Sequence, residues 1–135
     1  MQKLFSTIHA LWYRVLGGRL VGRIGKAPIL LLTTTGRKTG KLRQLPLIYQ
    51  PHGDDLVVVA SNAGRPHHPA WYRNLQDDPH VSIRVGGDER PMVARTATDE
   101  ERASLWPRMA AVYKGYDKYV QKTDRHIPVV ILSPT

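Results

Sequence analysis

The chain has 135 residues, no cysteine and a formal net charge of +9. That length is one domain able to bury its own core, and the missing cysteines exclude a disulfide framework, thiolate chemistry and a Cys-ligated metal. Nine Lys/Arg and no Asp/Glu precede Asp54, whereas from Asp54 onward eleven basic and eleven acidic residues cancel, so the N-terminal part points to an anionic partner: nucleic acid, a membrane surface or a polyanionic cofactor.

Gln2 to Leu16 reads as an amphipathic helix, with Leu4, Phe5, Ile8, Leu11, Trp12, Val15 and Leu16 on one face and Gly17-Gly18 at its end. It is too short and polar to span a membrane and carries no cleavage-site pattern. It either packs on the domain or lies on a membrane with Arg14, Arg19 and Arg23 toward anionic headgroups. Residues 1–26 are therefore set apart as helix and connector, and 27–135 as the body of the domain. The expected location is cytoplasmic, with peripheral contact at the inner face of the plasma membrane as the variant.

Ile29–Thr35 and Arg43–Gln50 read as strands joined by a turn with glycines at 36 and 40. Arg37, Lys38, Lys41 and Arg43 crowd that turn, and with adjacent backbone N–H groups they make a site for an anion such as phosphate. An ordinary solvated hairpin tip is the plainer reading. It is not a Walker loop, because Leu42 rather than Ser or Thr follows Lys41. It is not a dinucleotide fingerprint either, because a strand follows.

Pro51–Asp55 reads as a turn and Leu56–Ala60 as a strand buried on both faces, completing a meander. Ser61–Pro66 is a loop that either lines a site or merely turns the chain. Ala70–Asp77 is a short helix with Pro69 at its start. His67-His68 lacks the partners a metal site needs, and none is assigned. His80–Val85 and Met92–Ala97 are strands around the 86–88 turn. Thr98 and Glu101 form a capping box for a helix through Leu105, Trp106, Met109 and Val112. Tyr113, Tyr116 and Tyr119 share one side of a helical segment, packing over the barrel or forming a phenolic rim for an aromatic ligand. Ile127–Leu132 closes the sheet. Six strands and two or three helices without βαβ alternation make a mainly β, α+β chain: a small antiparallel barrel with flanking helices. No nucleophile–base set is visible, so in an enzyme a cofactor would carry the chemistry.

The segments LLLTTTGRKTGKLRQLPLIY, VVVASNAGRPHHPAWYRNL, ATDEERASLWP, YKGYDKY and TDRHIPVVIL, in that order, resemble the deazaflavin-dependent nitroreductase family of actinobacteria over roughly Ile29–Leu132. The resemblance implies a split β-barrel of the FMN-binding type and an enzyme that uses reduced coenzyme F-420. It implies a quinone, enone or nitroaromatic as hydride acceptor. Arg37, Lys38, Thr39, Gly40 and Arg43 would hold the phosphate and polyglutamate tail, with Pro46 shaping the pocket. Ser61 and Asn62 would approach the deazaflavin ring, Trp71 and Asn74 would complete the cofactor site, and Tyr113, Tyr116 and Tyr119 would close over the acceptor. Ser61 or a tyrosine would serve as hydrogen-bond donor to the acceptor oxygen. Asn62 and Ala63 depart from lysine and glycine found in relatives. The other readings are a deazaflavin, lipid or quinone carrier, an FMN-dependent split-barrel oxidase, and a nucleic-acid-binding domain; against the last, no aromatic residue interleaves the basic turn.

Overall fold

The computed structural model describes residues 23–24 and 27–135, so the amphipathic helix read at Gln2–Leu16 lies outside the described residues. Within them are eight strands: β1 (Arg23–Ile24), β2 (Ala27–Thr35), β3 (Leu42–Ile48), β4 (Gln50–His52), β5 (Asp55–Val59), β6 (His80–Val85), β7 (Asp88–Thr96) and β8 (Val129–Pro134). Three α-helices join them: α1 (Ala70–Asp77), α2 (Asp99–Val112) and α3 (Gly115–Lys122), with a 3-10 turn at Asn62–Gly64.

All pairings are antiparallel, and the sheet runs β1-β2-β6-β7-β8-β5-β4, with β3 also on β2. The hydrogen-bonded path is thus open, with β4 at one end. The chain itself joins that end to the other side of β2. Leu42–Ile48 pairs with β2, the strand breaks at Tyr49, and Gln50–His52 pairs with β5. The expected simple meander is corrected here, because one bent segment serves two neighbours in turn. The turn expected over Pro51–Asp55 shrinks to Gly53-Asp54, since Pro51 and His52 still lie against Leu56 and Asp55. At the C-terminus the strand starts at Val129, two residues later than expected. Pro128 has no N–H for a ladder, although its carbonyl accepts from the Ala60 amide at 2.9 Å.

The continuous apolar runs of β5 and β8 are explained by two cores. Leu56, Val58, Ala60, Val130 and Leu132 face the barrel interior with Leu30, Leu32, Val81, Ile83 and Met92, capped by Trp71, Tyr72 and Leu75 of α1. The alternate residues Val57, Val59, Val129 and Ile131 face outward under Leu105, Met109 and Tyr116 of α2 and α3. Period-2 side-chain geometry sends the two sets to opposite faces, and each fully buried Val or Leu contributes about 1.5–3 kcal/mol.

The capping box forms as read: Glu101 N donates to Thr98 Oγ1 at 3.2 Å and Thr98 N donates to Glu101 Oε1 at 2.9 Å. The helical segment carrying the three tyrosines is separate from α2. It breaks at Tyr113, which is extended (φ −144°, ψ 104°), and resumes at Gly115.

Candidate cofactor groove

One groove of about 900 Å³ opens where the β2–β3 turn, the loop after β5 and α1 meet. That volume lies in the range of small-molecule and cofactor sites. The turn is shaped by its own backbone. Gly40 N donates to the Gly36 carbonyl and Gly36 N to the Lys41 carbonyl, both at 2.7 Å, and Gly40 sits at φ +71°, a conformation that strains any residue with a Cβ. Lys41 N donates to Thr39 Oγ1 at 3.2 Å. The N–H groups of Lys38 and Thr39 make no hydrogen bond among the described residues.

Asn74 ties this turn to α1. Its Oδ1 accepts from Arg37 N at 3.1 Å, and its Nδ2 donates to Thr34 Oγ1 at 3.2 Å; both side chains are buried. Trp71, one turn earlier on α1, is largely buried in the barrel core and also lines the groove.

Arg37, Lys38, Arg43, Arg65 and Arg73 line the groove together with His67 and His68, and no carboxylate among the described residues does. None of the ion pairs among the described residues involves these five cations. Five converging positive charges without acidic partners repel one another unless an anion joins them. Gln44, also on the wall, donates to Thr33 Oγ1 at 3.2 Å while its buried Oε1 has no partner among the described residues. A bound N–H would meet that acceptor's requirement.

The opposite wall is the loop after β5. Asn62 and Ala63 both hold positive φ (49° and 55°), a rare pairing for residues with a Cβ. Asn62 Nδ2 donates to the His67 carbonyl at 2.9 Å, which closes the loop. Gly64 (φ +74°) leaves room for α3, since a Cβ there would stand 3.1 Å from Tyr119 Cα. Beneath the loop, Arg125 donates to the carbonyls of Ala60 (3.2 Å), Ser61 (2.7 Å) and Arg65 (3.1 Å), and to His68 Nδ1 (2.8 Å). Sequence reasoning gave Arg125 no role, and Arg65, Arg73, His67 and His68 none in ligand binding. The one early signal was the TDRHIP segment itself.

Of the residues singled out from sequence, Arg37, Lys38, Thr39, Arg43, Asn62, Trp71 and Asn74 come together around the groove. Gly40 shapes the turn without lining it, and Pro46 is exposed on β3 outside the lining. Ser61 precedes the 3-10 turn and engages Arg125 through its carbonyl. The tyrosines form a cluster of their own behind the loop. Tyr113 and Tyr119 hydroxyls lie 3.0 Å apart, and the Tyr116 ring packs edge-on to Tyr113 at 5.1 Å within the outer core. Burial pushes the Tyr116 phenol well above its ordinary range, with Tyr113 and Tyr119 adding to the shift.

The comparisons with known proteins bear on this groove. A family model described as F420H(2)-dependent quinone reductase matches residues 5–134. A Mycobacterium tuberculosis protein of that description is 44% identical over 107 residues, 79% of this chain and 90% of its own length. A second one from M. tuberculosis is 39% identical over 130 residues, covering 93% of this chain and 87% of that one. A solved F420-H2 dependent reductase superposes with a TM-score of 0.72 at 42% identity, covering 78% of this chain and 94% of that one. The heme storage protein of Vibrio cholerae, at 17% identity and a TM-score of 0.63 over 79% and 81% of the chains, shares the fold alone. The split-barrel architecture and the matched length place the chain in the F420H(2)-dependent quinone reductase family, as an oxidoreductase that uses reduced coenzyme F-420.

Proposed function

We propose that the groove is where coenzyme F-420 binds and where a quinone takes up hydride. The observation that carries this reading is the set of five cations that, among the described residues, have no ionic partner and no carboxylate beside them, next to two amides of the β2–β3 turn without a partner there. Such a donor set fits a phosphate and an acidic tail. Arg37, Lys38, Thr39 and Arg43 hold the phosphate side, and Asn74 keeps their turn in place. Asn62 and Trp71 border the remaining space, where the flat ring system fits. The reduced coenzyme, when bound there, would supply the hydride that, with one proton, converts a quinone to its quinol.

The chain's own work is alignment and exclusion of competing geometry, which contribute most when donor and acceptor are held face to face. Ser61 and the three tyrosines keep their place in the proposal through the resemblance. The position of the tyrosines behind the 61–64 loop fits a supporting role, and Tyr116→Phe tests it: unchanged turnover removes that hydroxyl from the acceptor site. Enones and nitroaromatics are further acceptors of the same flat, electrophilic kind.

The test is a fluorescence titration with coenzyme F-420, FMN run alongside, followed by menaquinone-analogue reduction. Tight binding of the deazaflavin, weak binding of FMN and quinone turnover support the reading. Preference for FMN, or binding without turnover, overturns it in favour of a flavin enzyme or a carrier. Among the described residues no helix is long and apolar enough to cross a membrane. The peripheral contact proposed for residues 1–26 is tested by flotation with anionic vesicles, with and without that segment.

A further inference from the structure

We infer that His68 is a ligand-binding residue of the groove, held by Arg125 as a neutral imidazole with its proton on Nε2, and that it donates a hydrogen bond from Nε2 to an oxygen of the bound coenzyme. The ligand contact rests on the function proposed above; the tautomer stands on geometry alone.

Arg125 Nη1 lies 2.8 Å from His68 Nδ1. A guanidinium has donors only and does not give up its proton in proteins, so Nδ1 must be the acceptor. An imidazole that accepts at Nδ1 is neutral and carries its hydrogen on Nε2. The guanidinium cannot turn away, because Nε and Nη2 hold the carbonyls of Arg65 and Ser61 and the second hydrogen of Nη1 holds that of Ala60. The ring is steadied from α1 by Tyr72, 4.9 Å away centroid to centroid. The charged groups bearing on it are Arg125, Arg73 of α1 and His126; burial and these three all disfavour a second proton, and no carboxylate opposes them. His68 lines the groove, and its Nε2 makes no hydrogen bond among the described residues. A wall of five fixed cations supplies attraction without direction. A locked N–H adds one oriented donor whose state does not follow pH through the neutral range.

The experiment has two readouts. Long-range ¹H–¹⁵N NMR of the labelled full chain without ligand reports the His68 tautomer. We expect Nε2–H, persisting at acidic pH where ordinary histidines have become protonated. In Arg125→Gln, with the Arg125→Lys chain as a second variant in case the first misfolds, His68 should titrate in the usual histidine range. Coenzyme titration of His68→Leu should then show binding weaker by about ten- to a hundredfold, the loss of one hydrogen bond to a charged acceptor. His68→Gln, which returns an N–H at similar reach, should recover most of it. An Nδ1–H or cationic His68 in the free chain overturns the lock. Equal coenzyme affinity in His68→Leu and the parent overturns the ligand contact. Failure of the parent chain to bind the coenzyme at all overturns the proposed function and that contact together, while the ligand-free spectrum still decides the lock.

Discussion

Replacing Asn74 by alanine separates two roles of one side chain. Asn74 is 6% exposed and spends both ends of its amide, on Arg37 N at 3.1 Å and Thr34 Oγ1 at 3.2 Å. Each bond contributes about 1 kcal/mol net, and leaving a buried partner unmet costs about 1–3 kcal/mol. Thr34, at 1% exposure, cannot turn to water, whereas the Arg37 amide sits in an exposed turn and can. The expected loss is about 2–4 kcal/mol. For a chain of this length about 1 kcal/mol moves Tm by roughly 3.5 °C, so the melt should fall by about 7–14 °C. Coenzyme affinity should fall about tenfold as well, because the turn loses its tether to α1. Asn74→Asp makes the comparison sharp. It keeps an acceptor for Arg37 N, and Thr34 can rotate its hydroxyl to donate, so stability should suffer less than in the alanine variant. The added negative charge in an anion groove should nevertheless weaken binding at least as much. Circular-dichroism melts and fluorescence titrations on the three chains decide. An alanine variant with parental Tm and parental Kd refutes the tether.

Ala63→Gly relieves a left-handed alanine and should stabilise the chain by about 1 kcal/mol net of glycine's greater unfolded-state entropy, read as a Tm rise of roughly 3 °C; a fall in Tm would mean that φ of +55° carries no strain. Lys38→Glu with Arg43→Glu should weaken coenzyme binding by more than tenfold and steepen no unfolding transition, since neither side chain has an ionic partner among the described residues. Glu101 is held at about 2, first by its hydrogen bonds to Arg95 and then by the Thr98 amide. A carboxyl whose folded value is depressed adds stability above the unfolded value near 4.5, lost as pH falls toward 2. Glu101→Gln should therefore flatten the pH dependence of Tm between about pH 4.5 and 2; an unchanged acid limb would show that the pair contributes nothing there.

Local chemistry was legible from sequence, and long-range partnership was not. The Thr98–Glu101 box, the Ala70–Asp77 helix and the His80–Val85 strand depend on residues within a few positions, and the structure has them where the pattern put them. The doubly buried face of β5 was readable from a run of valines. The break at Tyr49 was not, because Leu45, Leu47 and Tyr49 alternate straight through it and only the change of neighbour from β2 to β5 reveals it. The basic turn was visible as a cluster in sequence. Its complement, Arg65, Arg73 and His68, is gathered from other elements by the fold. Arg125 escaped notice for a related reason: three of its four partners are backbone carbonyls, which have no signature in side-chain sequence.

The bent segment Leu42–His52 also bears on how the molecule assembles. The β2–β3 hairpin that frames the anion turn needs only neighbours in sequence, whereas the ring depends on pairs as remote as Leu31 with Arg84 and Val57 with Ile131. Loop closure makes such remote pairings slow, on the scale of milliseconds to seconds, while a hairpin forms in microseconds. The basic turn therefore takes shape before the barrel that positions the rest of the groove. The opposite wall of the groove, the loop after β5, is held by Arg125, so the groove is whole only once residues some sixty positions apart have met.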